Sequence, residues 1–394
     1  MTNLNEKRKF MKSIMKIMLT ALFLLTTTNQ LLLAQAKGVV IDKESRQPIP
    51  YASIYTKNGE TVLGAMTDEN GLFSLNFSFQ TLFFSHINYE KIELQKESLG
   101  DTIFLTPASV LLSEVVVSSK QPKWIPRILA EVVKMKNKNY QNSDKQFSYN
   151  YESYTLGDSS GYAFKSKGSL LVPKLSSNPQ YYINAQKSII KYKDKTAGVD
   201  FTNLKRMLYV DFISYFDKKF INNNDFKQNS LFETSNPHLV QLFFHDKKDK
   251  TTNGYMVVDT VNNTIVEAEH NVGTEYNIKN NTTLYFKTFS PKLGIKHNLW
   301  ITKSHYKYSK LGNSYYMVES KYKFSRKSTI KNKKTDSQFF TTIESKLFLQ
   351  NQTAQTDTKI IPLLKPFDAI TIYTKKMQSE EAALNKVPVI FEKF

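Results

Sequence analysis

Between Lys37 and Val117 the chain breaks into short apolar runs separated by turn chemistry, and no run is long enough to bury one face of a helix. Asp42-Lys-Glu-Ser-Arg-Gln-Pro48 is a polar turn. Lys57-Asn-Gly-Glu60 and Thr67-Asp-Glu-Asn-Gly71 each carry an Asn-Gly pair, which supplies the positive φ that tight hairpins need. Asp68 can accept hydrogen bonds from its turn amides, and Gly71 tolerates the left-handed region. Residues 38–41, 51–55, 61–66, 73–77, 82–84, 103–105 and 115–117 then read as strands, with Phe73, Leu75 and Phe77 on one face. Seven strands in this length predict a β-sandwich.

The segment in front of this module has the organisation of an export signal. Lys7, Arg8, Lys9, Lys12 and Lys16 form a basic start, residues 17–25 an apolar run, and Ala34-Gln35-Ala36 a small-x-small cleavage site. Thr26-Thr-Thr-Asn-Gln30 interrupts the run well short of the ~20 apolar residues of a membrane span. Residues 1–36 are therefore expected to be a signal peptide. The chain contains no Cys, which excludes disulfides, thiolate metal sites, cysteine nucleophiles and a lipid-modified cysteine anchor. An exported chain of this kind depends on its apolar core. Its 22 Tyr and 27 Phe favour strands over helices. With a net charge of +19 and an export signal, anionic lipid or polysaccharide is a better partner class than nucleic acid. The simpler reading is that Lys keeps exposed strand faces soluble.

Behind the linker Gln121-Pro-Lys123, the residues Ile125, Ile128, Leu129, Val132 and Val133 make one apolar stripe of a helix. Pro126 suits its first turn, and the poor helix formers of 137–142 end it. Residues 145–394 read mostly as antiparallel strands, at 147–154, 162–172, 254–258, 264–269, 283–289, 299–308, 315–324 and 338–349. Tyr316, Val318, Tyr322 and Phe324 fall on one face, with Lys321 and Lys323 opposite. Phe201, Leu204, Leu208, Phe212 and Tyr215 keep a helical period, so one helix over 202–219 should cover a side of the sheet.

The expected architecture is mainly β. A seven-stranded sandwich spans 37–118, a linker and helix 119–144, and a larger antiparallel β domain covered by one or two helices 145–394. A small membrane barrel over 145–394 is the rival. It fits poorly, because the face continuing from Phe394 reads Glu392, Ile390, Pro388, and Lys and Asn fall on nearly every strand.

Six groups of residues carry a more specific signal: Gly38-x-Val-x-Asp42, Pro48-x-Pro-Tyr-Ala-Ser-Ile54, Gly64, Thr67-Asp-x-Asn-Gly-x-Phe73, Phe84-Ser-His-Ile-Asn-Tyr89 and Leu112-x-Glu-Val-Val-Val117. Together they resemble the carboxypeptidase regulatory-like domain, a transthyretin-like sandwich found at the front of exported bacterial outer-membrane proteins, including TonB-dependent nutrient receptors. That family has Gly where Asn88 stands, and Asn also visits positive φ. The resemblance implies an accessory module without catalytic residues of its own. The order of helix, Asn-containing turn and Tyr-Glu-Ser-Tyr154 strand is similar to the pre-barrel region of a family of uncharacterised outer-membrane proteins. Gly254-Tyr-Met-Val-Val-Asp259 followed by Ile265-Val-Glu267 looks like paired strands of periplasmic lipoprotein-carrier half-barrels, an analogy at the level of fold.

No catalytic, cofactor or metal residue is assigned from the sequence. Gly157-Asp-Ser-Ser-Gly161 is similar to the nucleophile loop of trypsin-like proteases, but that loop has Gly where Ser160 stands. Here it joins two alternating aromatic runs, as a hairpin turn does. Glu267 and His270 form the one compact acid–histidine pair among His86, His238, His245, His270, His297 and His305. On a strand, three-residue spacing puts them on opposite faces. The basic run Arg326-Lys-Ser-Thr-Ile-Lys-Asn-Lys-Lys334 reads as a solvated hairpin tip. The first functional expectation is a non-enzymatic, exported envelope protein that binds an outer-membrane or periplasmic partner. The second is a carrier of an apolar ligand or lipid, with a pocket under the helix from Thr202. The third is a hydrolase with an unrecognised site. A cavity under that helix would favour the carrier, a cleft of converging carboxylates or His the enzyme, and a polar sheet face the binding module.

Overall fold

The computed structural model describes residues 36–58, 61–86, 89–107, 122–157, 161–192, 201–230, 232, 234–280, 292–331, 337–351, 361–363 and 389–393. The leader up to residue 35, Asn88, and the strands expected at 115–117 and 283–289 lie outside them.

The front module is a sandwich of two sheets. One contains β1 (Ala36–Asp42), β4 (Leu72–Leu75) and β7 (Thr102–Leu105), in the order β4-β1-β7 with β1 and β7 parallel. The other contains β2 (Ser53–Asn58), β3 (Thr61–Met66), β5 (Thr81–Ser85) and β6 (Ile92–Gln95), in the order β3-β2-β5-β6. Val40, Ile54, Leu75, Leu82, Phe84 and Leu105 fill the space between them. The predicted turn chemistry is in place. Asp68 Oδ1 accepts from the amides of Asn70 and Leu72 at 2.8 and 2.9 Å, and Gly71 has φ +72°. Strand β6 was not expected, because Ile92-Glu-Leu-Gln95 is short and half exposed.

Helix α1 (Trp124–Asn139) buries Ile125, Leu129 and Val132, the centre of the predicted stripe. Its end is pinned by Tyr140, whose buried hydroxyl donates to the Ile265 carbonyl at 2.9 Å.

A twelve-stranded sheet makes up the rest. In chain order its strands are β8 (Lys145–Gly157), β9 (Gly161–Val172), β10 (Tyr181–Tyr192), β11 (Asn224–Gln228), β12 (Leu239–Asp246), β13 (Asn253–Asp259), β14 (Thr264–Val272), β15 (Ile295–Leu311), β16 (Ser314–Ile330), β17 (Ser337–Asn351), β18 (Ile361–Leu363) and β19 (Val389–Lys393). The spatial order is β11-β12-β13-β14-β15-β16-β17-β8-β9-β10-β18, with β19 parallel to β10. The described strands leave β11 and β18 as separate ends, so they form an open sheet.

The helix expected over 202–219 is three short ones, α2 (Thr202–Tyr209), α3 (Phe212–Tyr215) and α4 (Lys218–Asn223). The breaks fall at aspartates. Asp211 is extended and accepts a hydrogen bond from the Tyr308 hydroxyl, and Asp217 caps α4 by accepting from the Phe220 amide at 2.8 Å. The apolar period survives both breaks because all three helices pack on the same layer. A further helix, α5 (Thr274–Asn280), lies beside β15.

Candidate functional site

The two faces of the large sheet differ in kind. Under α1 to α4, Phe147, Phe164, Phe201, Phe212, Phe216 and Phe244 are at most 2% exposed. Phe164 meets Phe201 edge-on with ring centres 5.1 Å apart, and Phe212 stacks on Phe216. His270 sits in this layer, its Nδ1 2.8 Å from the Tyr215 hydroxyl and its ring among Phe212, Phe220 and Phe244. Burial pushes its pKa down to about 4, with a weaker opposing pull from Asp246. Asp211, also buried here, is pushed up to about 6 by burial, against hydrogen bonds from Tyr308 and its own turn and the charge of Lys136. The space under the helices is thus filled by side chains.

The opposite face is polar, and register aligns its residues in rows. Asn271, Lys303, Lys323, Glu344 and Tyr154 lie side by side across β14, β15, β16, β17 and β8. Glu269, His305, Lys321, Lys346, Glu152 and Lys165 form the next row. Glu267, Lys307, Glu319, Phe348, Asn150 and Lys167 form a third. Glu267 and His270 are on opposite faces, as their spacing requires. A bulge leaves Val318 without a cross-strand partner, so the alternation expected through Tyr316 and Val318 shifts there.

The sandwich docks on one part of this polar face. Ser85 Oγ donates to Glu344 Oε1 at 2.8 Å and Tyr55 OH to Glu344 Oε2 at 3.3 Å. Ser53 Oγ lies 3.2 Å from Thr342 Oγ1. Lys327 Nζ donates to Tyr51 OH and Glu69 Oε1, both at 3.1 Å, and stands 4.3 Å from the centre of the Tyr51 ring. Burial disfavours its charge, but Tyr51 and Glu69 outweigh this and raise its pKa. A small apolar patch of Tyr55 and Leu156, flanked by Phe83, Tyr154 and Phe340, completes the contact. Gly64 allows the close approach, since a Cβ there would stand 2.7 Å from Leu156 Cδ2. Lys327 corrects the solvated-tip reading of the basic run. Residues 326–330 continue strand β16, and the tip itself at 332–336 lies outside the described residues.

Beside the docked sandwich, Tyr255, Glu269, Lys303, His305, Lys321 and Lys323 line a cleft of about 260 Å³. Its walls are tied together by ion pairs. Glu269 meets Lys303 at 2.8 Å and Glu319 meets Lys321 at 2.6 Å. Glu267 Oε1 accepts from Tyr255 OH at 2.7 Å and pairs with His305 Nε2 at 2.9 Å. Burial opposes the Glu267 charge, but hydrogen bonds from His305 and Tyr255 hold its carboxyl below the usual range, and burial with Glu267 drives the Tyr255 hydroxyl upward. His305 Nδ1 is buried without a hydrogen-bond partner among the described residues. Lys323 joins cleft to sandwich, donating to Ser85 Oγ at 3.1 Å and lying 3.8 Å from Glu344. A second cavity of about 340 Å³ follows the seam between the sandwich loop at Thr67–Asn70 and Lys327, Gln338, Phe339 and Phe340.

The structure thus brings His305 and Glu267 together and leaves the other histidines apart. His297 pairs with Ser328, His270 is in the aromatic layer, and His86 packs on Tyr89 within the sandwich. No group of three or more His, Cys, Asp or Glu among the described residues could share a metal ion. The Gly157–Gly161 segment joins β8 to β9 as a hairpin, with Leu156 opposite Gly161, and its central residues lie outside the described set. The cleft was not legible locally, since Glu267 and His305 meet only through the β14–β15 register.

Residues 36–117 match the family model of the CarboxypepD_reg-like domain, in agreement with the resemblance read from the turns. No curated protein matches the chain. Among solved structures, lipovitellin aligns with 55% of this chain at 8% identity and a TM-score of 0.26, and the chain spans 26% of that molecule. An outer membrane lipoprotein-sorting protein domain from Vibrio parahaemolyticus aligns with 58% of this chain and 94% of its own length, at 10% identity and a TM-score of 0.24. MucB in the Pseudomonas aeruginosa MucA/MucB complex aligns with 55% of this chain and 92% of its own length, at 6% identity and a TM-score of 0.19.

Proposed function

We propose that this chain is an exported, non-catalytic binding protein of the cell envelope, acting through the polar face of its large sheet. One observation carries the reading. The CarboxypepD_reg-like domain covers part of that face through hydrogen bonds and ion pairs and leaves a mixed-charge cleft open beside it. A polar sheet face bordered by an accessory sandwich is a surface for a partner, with aromatic area and Lys charge supplying contact and attraction. The apolar-carrier reading has less support, because the side chains of α2 and α3 fill the layer where such a ligand would lie. The cleft carboxylates are each engaged by Lys, His or Tyr, which suits binding geometry better than acid–base turnover.

The test is photo-crosslinking in cells, with a photoreactive residue at Lys321 or Phe348 on the polar face, or at Val261 in the β13–β14 turn. The expected result is an adduct in the envelope fraction from the polar-face positions only. Cytoplasmic recovery, or adducts only from Val261, would overturn the proposal. So would hydrolysis of a model ester or peptide that is abolished by His305→Gln.

A further inference from the structure

The cleft residues make a definite demand on a ligand. Lys303 stands directly opposite Lys323, and Lys321 directly opposite Lys346, in the β15–β16–β17 ladder. Glu269, Glu319 and Glu344 answer Lys303, Lys321 and Lys323, yet the cleft lining itself carries these three ammonium groups against the single carboxylate of Glu269, a positive excess that an anion can share. A bare anion is nevertheless a poor fit. Glu269 lies in the same cleft, Glu267 borders it, and both would repel a second negative charge placed at random. Along the lining Glu269 lies on β14, Lys303 and His305 on β15, Lys321 and Lys323 on β16, and the half-buried Tyr255 ring on β13. The Tyr255 hydroxyl is committed to Glu267, which fixes the ring and leaves its flat apolar surface as the contact it can offer.

We infer that the cleft binds a saccharide bearing a carboxylate or phosphate, its anionic group held by Lys321 and Lys323, its hydroxyls by Glu269, and its ring against Tyr255. This rests on the binding-protein reading and names the ligand class of that site. Carboxylates accept hydroxyl protons readily, and ammonium groups hold an anion by charge-assisted hydrogen bonds. A neutral sugar would make no use of the positive excess of the lining, and inorganic phosphate would leave the Tyr255 ring without a contact. The volume lies just below the usual range of ligand pockets, which suits a single saccharide unit. Because Lys323 also donates to Ser85, an anion drawn to it lies at the sandwich boundary, within reach of both domains.

The experiment is calorimetric titration of the mature chain with glucuronic acid, glucose 6-phosphate, polygalacturonate, glucose and inorganic phosphate. An anionic sugar is expected to bind, with glucose and inorganic phosphate at least about tenfold weaker. Tighter binding of polygalacturonate than of glucuronic acid, per sugar unit, would identify a polymer as the source. Lys321→Gln, at a half-exposed position, and Tyr255→Ala should each weaken binding by about tenfold or more. Lys167→Ala, on the same face but outside the cleft, should not, and thermal unfolding confirms that each variant is folded. Equal binding of inorganic phosphate, equal binding of glucose, or no effect of Lys321→Gln would overturn the inference. Silence with every sugar, together with crosslinks from Lys321 or Phe348, would overturn it while leaving the binding-protein reading standing.

Discussion

On β16, Tyr322 and Phe324 join the aromatic layer under the helices, while the intervening Lys323 and its neighbour Lys321 face the sandwich side. Along this strand the period of two serves both faces at once. The helix-covered face is held by buried area and close packing, and burial favours the neutral forms of His270 and Asp211, lowering the pKa of the first and raising that of the second. The other face is held by hydrogen bonds and ion pairs around Glu344 and Lys327, with a small apolar patch. Packing of the first kind is costly to open. Contacts of the second kind exchange for water or a ligand at modest cost, so the proposed binding role is assigned to the polar face.

The sharpest contrast is between two phenylalanines. Phe212→Ala in the aromatic layer should cost about 3–5 kcal/mol in urea unfolding, while Phe348→Ala, on the polar face and 39% exposed, should cost no more than about 0.5 kcal/mol. Similar losses would mean that the two faces are not built differently.

Acid should find the packed face next. The folded pKa of His270 is about 4 against an ordinary 6.5, so its contribution is fully present above pH 6.5 and is lost as pH falls through 4. The expected loss from this one group is on the order of 3 kcal/mol. Denaturant midpoints measured against pH should therefore fall less steeply for His270→Phe than for the parent chain. His86, pushed to about 4 by burial and by Lys323, adds a loss of the same sign in the sandwich. Asp211 acts in reverse. Its folded pKa of about 6 lies above the usual value, so protonation as pH falls from about 6 towards 4 stabilises the fold, and Asp211→Asn should remove that gain.

The polar face should yield with the smallest change in overall stability. Glu344→Gln and Lys327→Met each remove charge-assisted contacts to the sandwich, costing about 1–3 kcal/mol of docking. Hydrogen exchange should quicken at Ser85 and Tyr51 while the urea midpoint of the large sheet stays put. A shift of the whole sheet would show that docking and core are one cooperative unit.

Much of the fold was legible where the signal is local. Asp68, Asn70 and Gly71 announce a turn that needs no distant partner, and the Ile125 to Val133 stripe announces a helix through its own period. Strands β10, β11 and β12 went unread. Leu239-Val-Gln-Leu-Phe-Phe244 lacks clean alternation, and Asn224-Asp-Phe-Lys-Gln228 is too polar to stand out from a loop. The first helix break involves Asp211 meeting Tyr308, 97 residues away, while the second is the local cap of Asp217 on Phe220. The cleft is least local of all. Lys321 and Lys323 were correctly placed opposite Tyr322 and Phe324, but their meeting with Glu269, His305 and Tyr255 depends on the register of four strands.

Everything proposed for the polar face depends on the sandwich docking there, beside the cleft and joined to it through Lys323 and Ser85. The chain has no native Cys, so a Ser53→Cys, Thr342→Cys double variant carries one possible disulfide, between side chains whose hydroxyls lie 3.2 Å apart. Mild oxidation of the dilute, folded protein should give a fast intramolecular crosslink, seen as a mobility shift on a non-reducing gel. A control pair of Leu72→Cys and Thr342→Cys, with Leu72 exposed on the other sheet of the sandwich, should give none. If both pairs crosslink equally slowly, or neither forms an intramolecular bond, the sandwich does not rest on this face and the account fails.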